Sequence, residues 1–190
     1  DFCLSRGLGD VYKRQVFVFL IARRLSQSTS VGIFAGTIAL FDGVLLVAAK
    51  FGMLDIFQVF FVVAAAWTLT GDMQQVHRRW HDAYLTGKLD ESGPLGPRLG
   101  FRWWRFATGV LLGLALGVKW SGLYYIAFYG LLSAFWDVWL RKRYGVEKPI
   151  AGALLRDVPS ALASIVVVPA VLYLWSWRCL LYTSDAADEG

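Results

Sequence analysis

Lys119 stands inside Gly113-Leu-Ala-Leu-Gly-Val-Lys-Trp-Ser-Gly-Leu-Tyr-Tyr-Ile-Ala-Phe-Tyr-Gly130, a stretch that is otherwise apolar almost throughout. Lipid is a poor medium for an ammonium group. A lysine in such a run faces a protein interior or an aqueous cavity, or lies at the membrane surface, and marks a functional site by default. A second charged spot, Lys50 with Asp55, interrupts the apolar sequence at Lys50-Phe-Gly-Met-Leu-Asp55. Two cations at one membrane face can hold an anion, and at that depth the obvious anion is a lipid phosphate. Asp55 could orient Lys50 or an acceptor group. Asp42, inside an apolar run, should face protein, as a functional group or as a structural hydrogen-bond partner. Each residue also has a plainer reading. Lys119 could snorkel to the interface with Trp120 as a belt aromatic, Lys50 could be a helix-end charge, and Asp55 could cap the following helix. His77 and His81 have the i,i+4 spacing of a metal pair, but the arginines between them repel a cation, so a solvated helix face is expected and no metal. There is no glycine-rich phosphate loop, HExxH or nucleophile elbow, and no cofactor is expected.

These residues must be held by a membrane scaffold. The chain of 190 residues is 57% hydrophobic and 17% charged, with a mean hydropathy of +0.51, where soluble domains carry about 25% charge. The ends do not match the middle. Asp10-Val-Tyr-Lys-Arg-Gln15 can be encoded by GATGTGTATAAGAGACAG, and the reverse complement of that DNA, read from its second base with a following T, encodes Cys179-Leu-Leu-Tyr-Thr-Ser184. Residues 1–15 and 179–190 therefore read as translated sequencing-adapter DNA flanking an internal fragment, 16–178, and are set aside. Both cysteines, Cys3 and Cys179, fall in these tails, so no disulfide, zinc or thiol argument survives. Between Val16 and Arg178 sixteen Lys and Arg face nine Asp and Glu. In a membrane protein that surplus belongs to cytoplasmic loops and not to nucleic acid.

The chain divides into about six membrane segments of an all-α helix bundle. Val16–Ala22 ends an apolar segment at Arg23-Arg24. Val31 to about Ala49 comes next, then Ile56–Thr70. Gly71–Arg105 is the only long hydrophilic region, with a short amphipathic helix over Gln74–Tyr84 and interfacial anchors in Phe101-Arg-Trp-Trp-Arg105. Phe106 to about Val118 and Ser121–Leu140 form a pair, with Asp137 and Arg141 as an ordinary i,i+4 pair. Ala151–Arg156 lies along the surface, and Ser160–Trp177 is the last span, kinked at Pro169. Arg23/Arg24, the Gly71–Arg105 loop and Arg141–Lys148 fall at alternate junctions and should share the cytoplasmic side. Lys50–Asp55 and Lys119–Ser121 then lie together on the outer side.

Four stretches resemble the actinobacterial branch of the protein O-mannosyltransferases, the polyprenyl- or dolichyl-phosphate-mannose–protein mannosyltransferases of the GT-C class. Leu40-Phe-Asp-Gly-Val-Leu-Leu-Val-Ala-Ala-Lys-Phe-Gly-Met-Leu-Asp-Ile-Phe57 resembles the family's Asp-Gly, then a cation, then Leu-Leu-Asp. Gly113–Leu123 resembles its Gly-x-x-x-Gly-x-Lys-aromatic-x-Gly-Leu. Leu154-Leu-Arg-Asp-Val-Pro-Ser160 and Tyr173-Leu-Trp-Ser-Trp177 resemble the family's next segments in order. The chain departs from the family in having Lys50 where arginine is usual, which loses the planar two-pronged grip on phosphate. The family's acidic pair would lie upstream of Val16. The resemblance implies transfer of mannose from a polyprenyl-phosphate carrier to Ser or Thr of an exported protein, with inversion, at the extracytoplasmic side of the cell membrane. Lys50 and Lys119 are then the candidates for the donor phosphate, with Asp55 supporting and Asp42 and Trp120 nearby. A GT-C enzyme for another sugar, or a transporter with Lys119 and Asp42 on its pathway, are the alternatives. A transporter would favour an internal repeat, and none is visible.

Overall fold

The computed structural model describes residues 15–41, 55–87, 89, 93–97 and 100–188, the last ten by backbone alone. Among them are six helices: α1 over 15–26, α2 (Thr29–Leu40), α3 (Asp55–Leu85), α4 (Trp103–Val118), α5 (Gly122–Arg143) and α6, which runs from Pro149 to Asp188. No strand occurs among the described residues, and the protein is an all-α membrane helix bundle. Three helical stretches, Asp55–Leu85, Gly122–Arg143 and Pro149–Arg178, are long and apolar enough to cross a membrane; α2 and α4 are shorter apolar helices.

Two helices differ from their expected bounds. No breaker separates Ile56–Thr70 from Gln74–Tyr84, so the two expected segments are one helix of 31 residues. Nor does a surface helix precede the last span. α6 passes both of its prolines by widening the helix just before each one. Two five-residue π turns, Ala153–Asp157 and Ala163–Val167, close on Val158 and Val168, whose N–H groups reach back to the carbonyls of Ala153 and Ala163. Pro159 and Pro169 follow directly. Proline removes an N–H and clashes with the carbonyl four residues back, and a π bulge is one way to absorb that without ending the helix.

Packing centres on α4, which lies between α3 and α6. Val62, Ala65 and Leu69 of α3 meet Leu112, Ala115 and Leu116 of α4, with Ile126 and Tyr129 of α5 and Ile165 of α6 closing the cluster. Small residues allow this approach, as is usual for helices packed in lipid. At Gly109 a Cβ would stand 1.7 Å from the Ser164 carbonyl oxygen, so only glycine fits there. The large apolar side chains point the other way: Leu123, Tyr124, Phe128, Leu131 and Phe135 of α5 and Leu154, Leu155 and Leu174 of α6 are exposed, as a lipid-facing surface requires.

The end of the bundle opposite Asp55 holds a buried ion network. Arg102 gives Nε to Asp72 Oδ1 at 2.8 Å and Nη1 to both oxygens of Asp137 at 2.8 and 2.9 Å. Arg105 Nη2 also donates to Asp137, and Arg105 Nη1 donates to the Asp157 carbonyl at 3.2 Å. Arg141 pairs with Asp157 at 2.7 Å and donates to the Leu95 carbonyl. Asp72, Arg105 and Arg141 are fully buried. The expected Asp137–Arg141 pair within one helix turn is therefore wrong: each residue points inward, to partners on other elements. Arg102 and Arg105 are likewise not interfacial anchors. Burial opposes the Arg102 charge, but the hydrogen bond to Asp72 and the charges of Asp137, Asp72 and Asp157 outweigh it and hold its pKa above the ordinary value.

Candidate functional site at the Asp55–Lys119 end

The site is built on the first turns of α3 and on the short turn between α4 and α5. α4 ends at Val118, and Lys119 takes an extended conformation with φ −155° and ψ 139°. The chain then reverses tightly: the Gly122 N–H bonds the Lys119 carbonyl at 2.9 Å and the Leu123 N–H bonds that of Trp120 at 3.1 Å. Gly122 makes the reversal possible, because a Cβ there would stand 2.6 Å from the Leu116 Cα. The glycine in Lys-Trp-Ser-Gly thus serves the close approach of α5 to the end of α4.

Three contacts fix this turn. Lys119 Nζ donates to Asp55 Oδ1 at 2.6 Å, joining the turn to the first residue of α3. Gln58, buried one turn further along α3, gives Nε2 to Ser121 Oγ at 2.8 Å and accepts from the same hydroxyl through Oε1 at 3.0 Å. Its Nε2 also lies 3.5 Å from the Lys119 carbonyl. On the far side Trp120 Nε1 donates to the Tyr173 hydroxyl of α6 at 2.7 Å, with the rings edge to face at 6.1 Å. Asp55 and Gln58 are spaced i,i+3, so one face of α3 meets the turn twice.

The magnitudes separate holding from function. The Lys119 and Asp55 side chains are 53% and 47% exposed. An ion pair that open contributes about 0–1 kcal/mol. The turn is located by the half-buried Gln58–Ser121 exchange and by Gly122, and the Lys119–Asp55 pair contributes little to stability. What results is a cation on a braced turn, half open, with a carboxylate that keeps it aimed and that a stronger anion can displace. Of the expected site residues, Lys119, Asp55 and Trp120 come together here. Trp120 is bonded to a tyrosine as well as exposed. Asp55 contacts Lys119, whereas the expectation put it against Lys50 or an acceptor. Lys50 and Asp42 lie outside the described residues. Gln58, Ser121 and Tyr173 were not anticipated as site residues. A neutral amide three positions after Asp55 in an apolar run was the available signal for Gln58.

Residues 14–89 match the family described as dolichyl-phosphate-mannose-protein mannosyltransferase. The chain is similar to a polyprenol-phosphate-mannose–protein mannosyltransferase of Corynebacterium glutamicum, 62% identical over 162 residues, which cover 85% of this chain and 31% of that protein. The protein of the same description from Mycolicibacterium smegmatis is 45% identical over 174 residues, 92% of this chain and 34% of that one. Protein O-mannosyl-transferase 2 of Drosophila melanogaster is 26% identical over 168 residues, 87% of this chain and 19% of that one. No solved structure matches. The chain thus spans about a third of the length of the bacterial relatives, and over that third, with a lysine-bearing turn braced against the acidic start of a membrane helix, it belongs to the protein mannosyltransferase family.

Proposed function

We propose that the Asp55–Lys119 end holds the phosphate of a polyprenyl-phosphate-mannose donor, in an integral-membrane enzyme that transfers mannose to Ser or Thr hydroxyls of exported proteins. The observation that carries this reading is the half-exposed Lys119 on its braced turn, with Asp55 as its partner. The descriptions of the relatives, which name this donor and a protein acceptor, support it; none of them describes a transporter or a transferase of another sugar. The reaction breaks the bond between the sugar carbon and the phosphate oxygen and forms one to the acceptor oxygen, with inversion. A carboxylate must take the hydroxyl proton, and it is expected upstream of Val16. A cation must stabilise charge developing on the departing phosphate. Lys119 fills the second role, Asp55 positions it, and Lys50 is the proposed second cation.

A groove of about 510 Å³ between α5 and α6, lined by Leu123, Ile126, Gly130, Ala161 and Ile165, opens one turn past Lys119. It is almost wholly apolar and suits the polyprenyl tail. The opposite end collects Arg24, Arg78, Arg141, Lys142 and Arg143, which supports placing it on the cytoplasmic face of the cell membrane and the site on the extracytoplasmic one.

The test is mannose transfer by the full-length enzyme from polyprenyl-phosphate-mannose to an acceptor peptide. Lys119→Ala should lower kcat/KM by about a hundredfold or more, and Lys119→Arg should restore part of it. Wild-type rates and donor affinity in both Lys119→Ala and Lys50→Ala would remove the assignment.

A further inference from the structure

At the end of the bundle away from Lys119 a second pocket, of about 470 Å³, opens between the α1–α2 turn, α3 and α5. It has two parts. Leu25, Met73, Trp136 and Trp139 make an apolar floor, and Trp136 and Trp139 stack with centroids 4.9 Å apart. Arg78 and Arg143 stand at its rim, both exposed, with Arg143 over the Trp139 ring at 5.1 Å. Among the described residues neither arginine has a carboxylate partner, and Asp82, one turn beyond Arg78, does not pair with it. Arg24 is close enough for the charge of Arg78 to act on it, and its own partners are the Gln74 side chain and the Trp67 carbonyl, both neutral. Two lining residues, His77 and Trp136, each bury a ring nitrogen, Nδ1 and Nε1, that has no partner among the described residues. This contrasts with the neighbouring network, where three arginines meet three aspartates.

The depth of the pocket fits its two parts. Met73 lies about 27 Å and His77 about 33 Å beyond Asp55 along α3 at 1.5 Å per residue, and the hydrocarbon core is about 30 Å thick. The apolar floor therefore falls at the end of the acyl region and the arginines at the phosphate layer. An excess of positive charge set over an apolar cleft at that boundary is complementary to one kind of molecule.

We propose that this pocket binds the head group of an anionic phospholipid from the leaflet opposite the donor site, with Arg78 and Arg143 on the phosphate and the first acyl carbons on Trp136, Trp139 and Met73. The apolar floor favours a lipid over free phosphate, which would leave it uncovered, and the arginine rim favours an anionic lipid over a zwitterionic one. The site is separate from the transfer reaction and does not depend on the donor assignment.

The experiment uses the full-length protein, purified from nanodiscs of equal parts phosphatidylglycerol and phosphatidylcholine, with retained lipid counted by native mass spectrometry. Wild type should keep phosphatidylglycerol in preference to phosphatidylcholine. Arg78→Gln with Arg143→Gln should reduce that preference by about tenfold or more, at about fivefold per arginine. Lys119→Ala should leave it unchanged. The wild-type preference needs no variant and so stands independently of any folding defect. Equal retention of the two lipids overturns the proposal, as that pocket would then be covered by protein or filled without selection. A preference that survives the double substitution, or that is lost in Lys119→Ala, overturns it by placing the lipid elsewhere. Complete displacement by millimolar inorganic phosphate overturns the lipid as the ligand.

Discussion

Gln58 shows how a neutral side chain can decide where a charged one stands. It is 5% exposed and exchanges two hydrogen bonds with Ser121, next but one to Lys119. The open ion pair with Asp55 is too weak to fix the turn alone, so the amide does it. Gln58→Leu keeps the volume and removes both bonds. Its expected result is a folded protein with kcat/KM for mannose transfer lowered about tenfold, the size of one or two lost hydrogen bonds. Ser121→Ala should act in the same direction, and the double substitution should be no worse than Gln58→Leu, because both remove one interaction. Losses that simply add would show that the two residues act separately. Lys119 was legible in the sequence because a charge in an apolar run costs free energy and stands out. Gln58, Ser121 and Tyr173 were not, since neutral polar residues are common in spans and only the fold shows which of them face one another.

Among the elements, α4 carries the tightest constraint. Its Gly109 meets the Ser164 carbonyl in the second π turn of α6, while a Cβ added at Gly117, two turns on, would meet nothing within 4 Å among the described residues. The two glycines look alike in the sequence and should respond oppositely. Gly109→Ala must push α4 from α6 and should destabilise by about 1–3 kcal/mol, as overpacking does; Gly117→Ala should be neutral or slightly stabilising because alanine is the better helix former. Thermal unfolding in detergent compares them directly, and equal melting temperatures would contradict the packing described. The helices α4 and α5 were readable from their apolar runs and from the Lys-Trp-Ser-Gly turn between them. α3 and α6 were not read to their true lengths. For α3, a change from apolar to polar composition marks where a helix leaves lipid and says nothing about where it ends. For α6, Ala151–Arg156 read as a separate surface segment and Pro169 as a kink, and the π turns that carry the helix past Pro159 and Pro169 have no sequence signature.

Across the whole molecule the ion network joins what apolar packing leaves separate. Asp72 is on α3, Arg102 and Arg105 begin α4, Asp137 and Arg141 are on α5, and Asp157 is in the first π turn of α6. Three negative and three positive groups cancel, which is the condition for burying them at all. Charge pattern along the chain could not reveal this, because Asp137 and Arg141 have an equally good local pairing at i,i+4. Burial decides between the two arrangements: the local pair would leave Arg105, itself fully buried, with only a 3.7 Å contact to Asp72, a carboxylate that Arg102 already engages. Asp137→Leu should therefore cost about 3–5 kcal/mol, since it leaves three buried arginines to two aspartates, with Arg105 reduced to its 3.7 Å contact with Asp72 and part of the Arg102 fork unpaired. Arg105→Met alone should cost a similar amount by leaving Asp137 with one partner. The double substitution keeps Arg102 with Asp72 and Arg141 with Asp157, so the remaining charges still balance, and its cost should fall short of the sum by about 1–3 kcal/mol. Denaturant unfolding of the four proteins in one detergent closes the cycle. A coupling near zero for Arg105 and Asp137 would undo the inward-facing network.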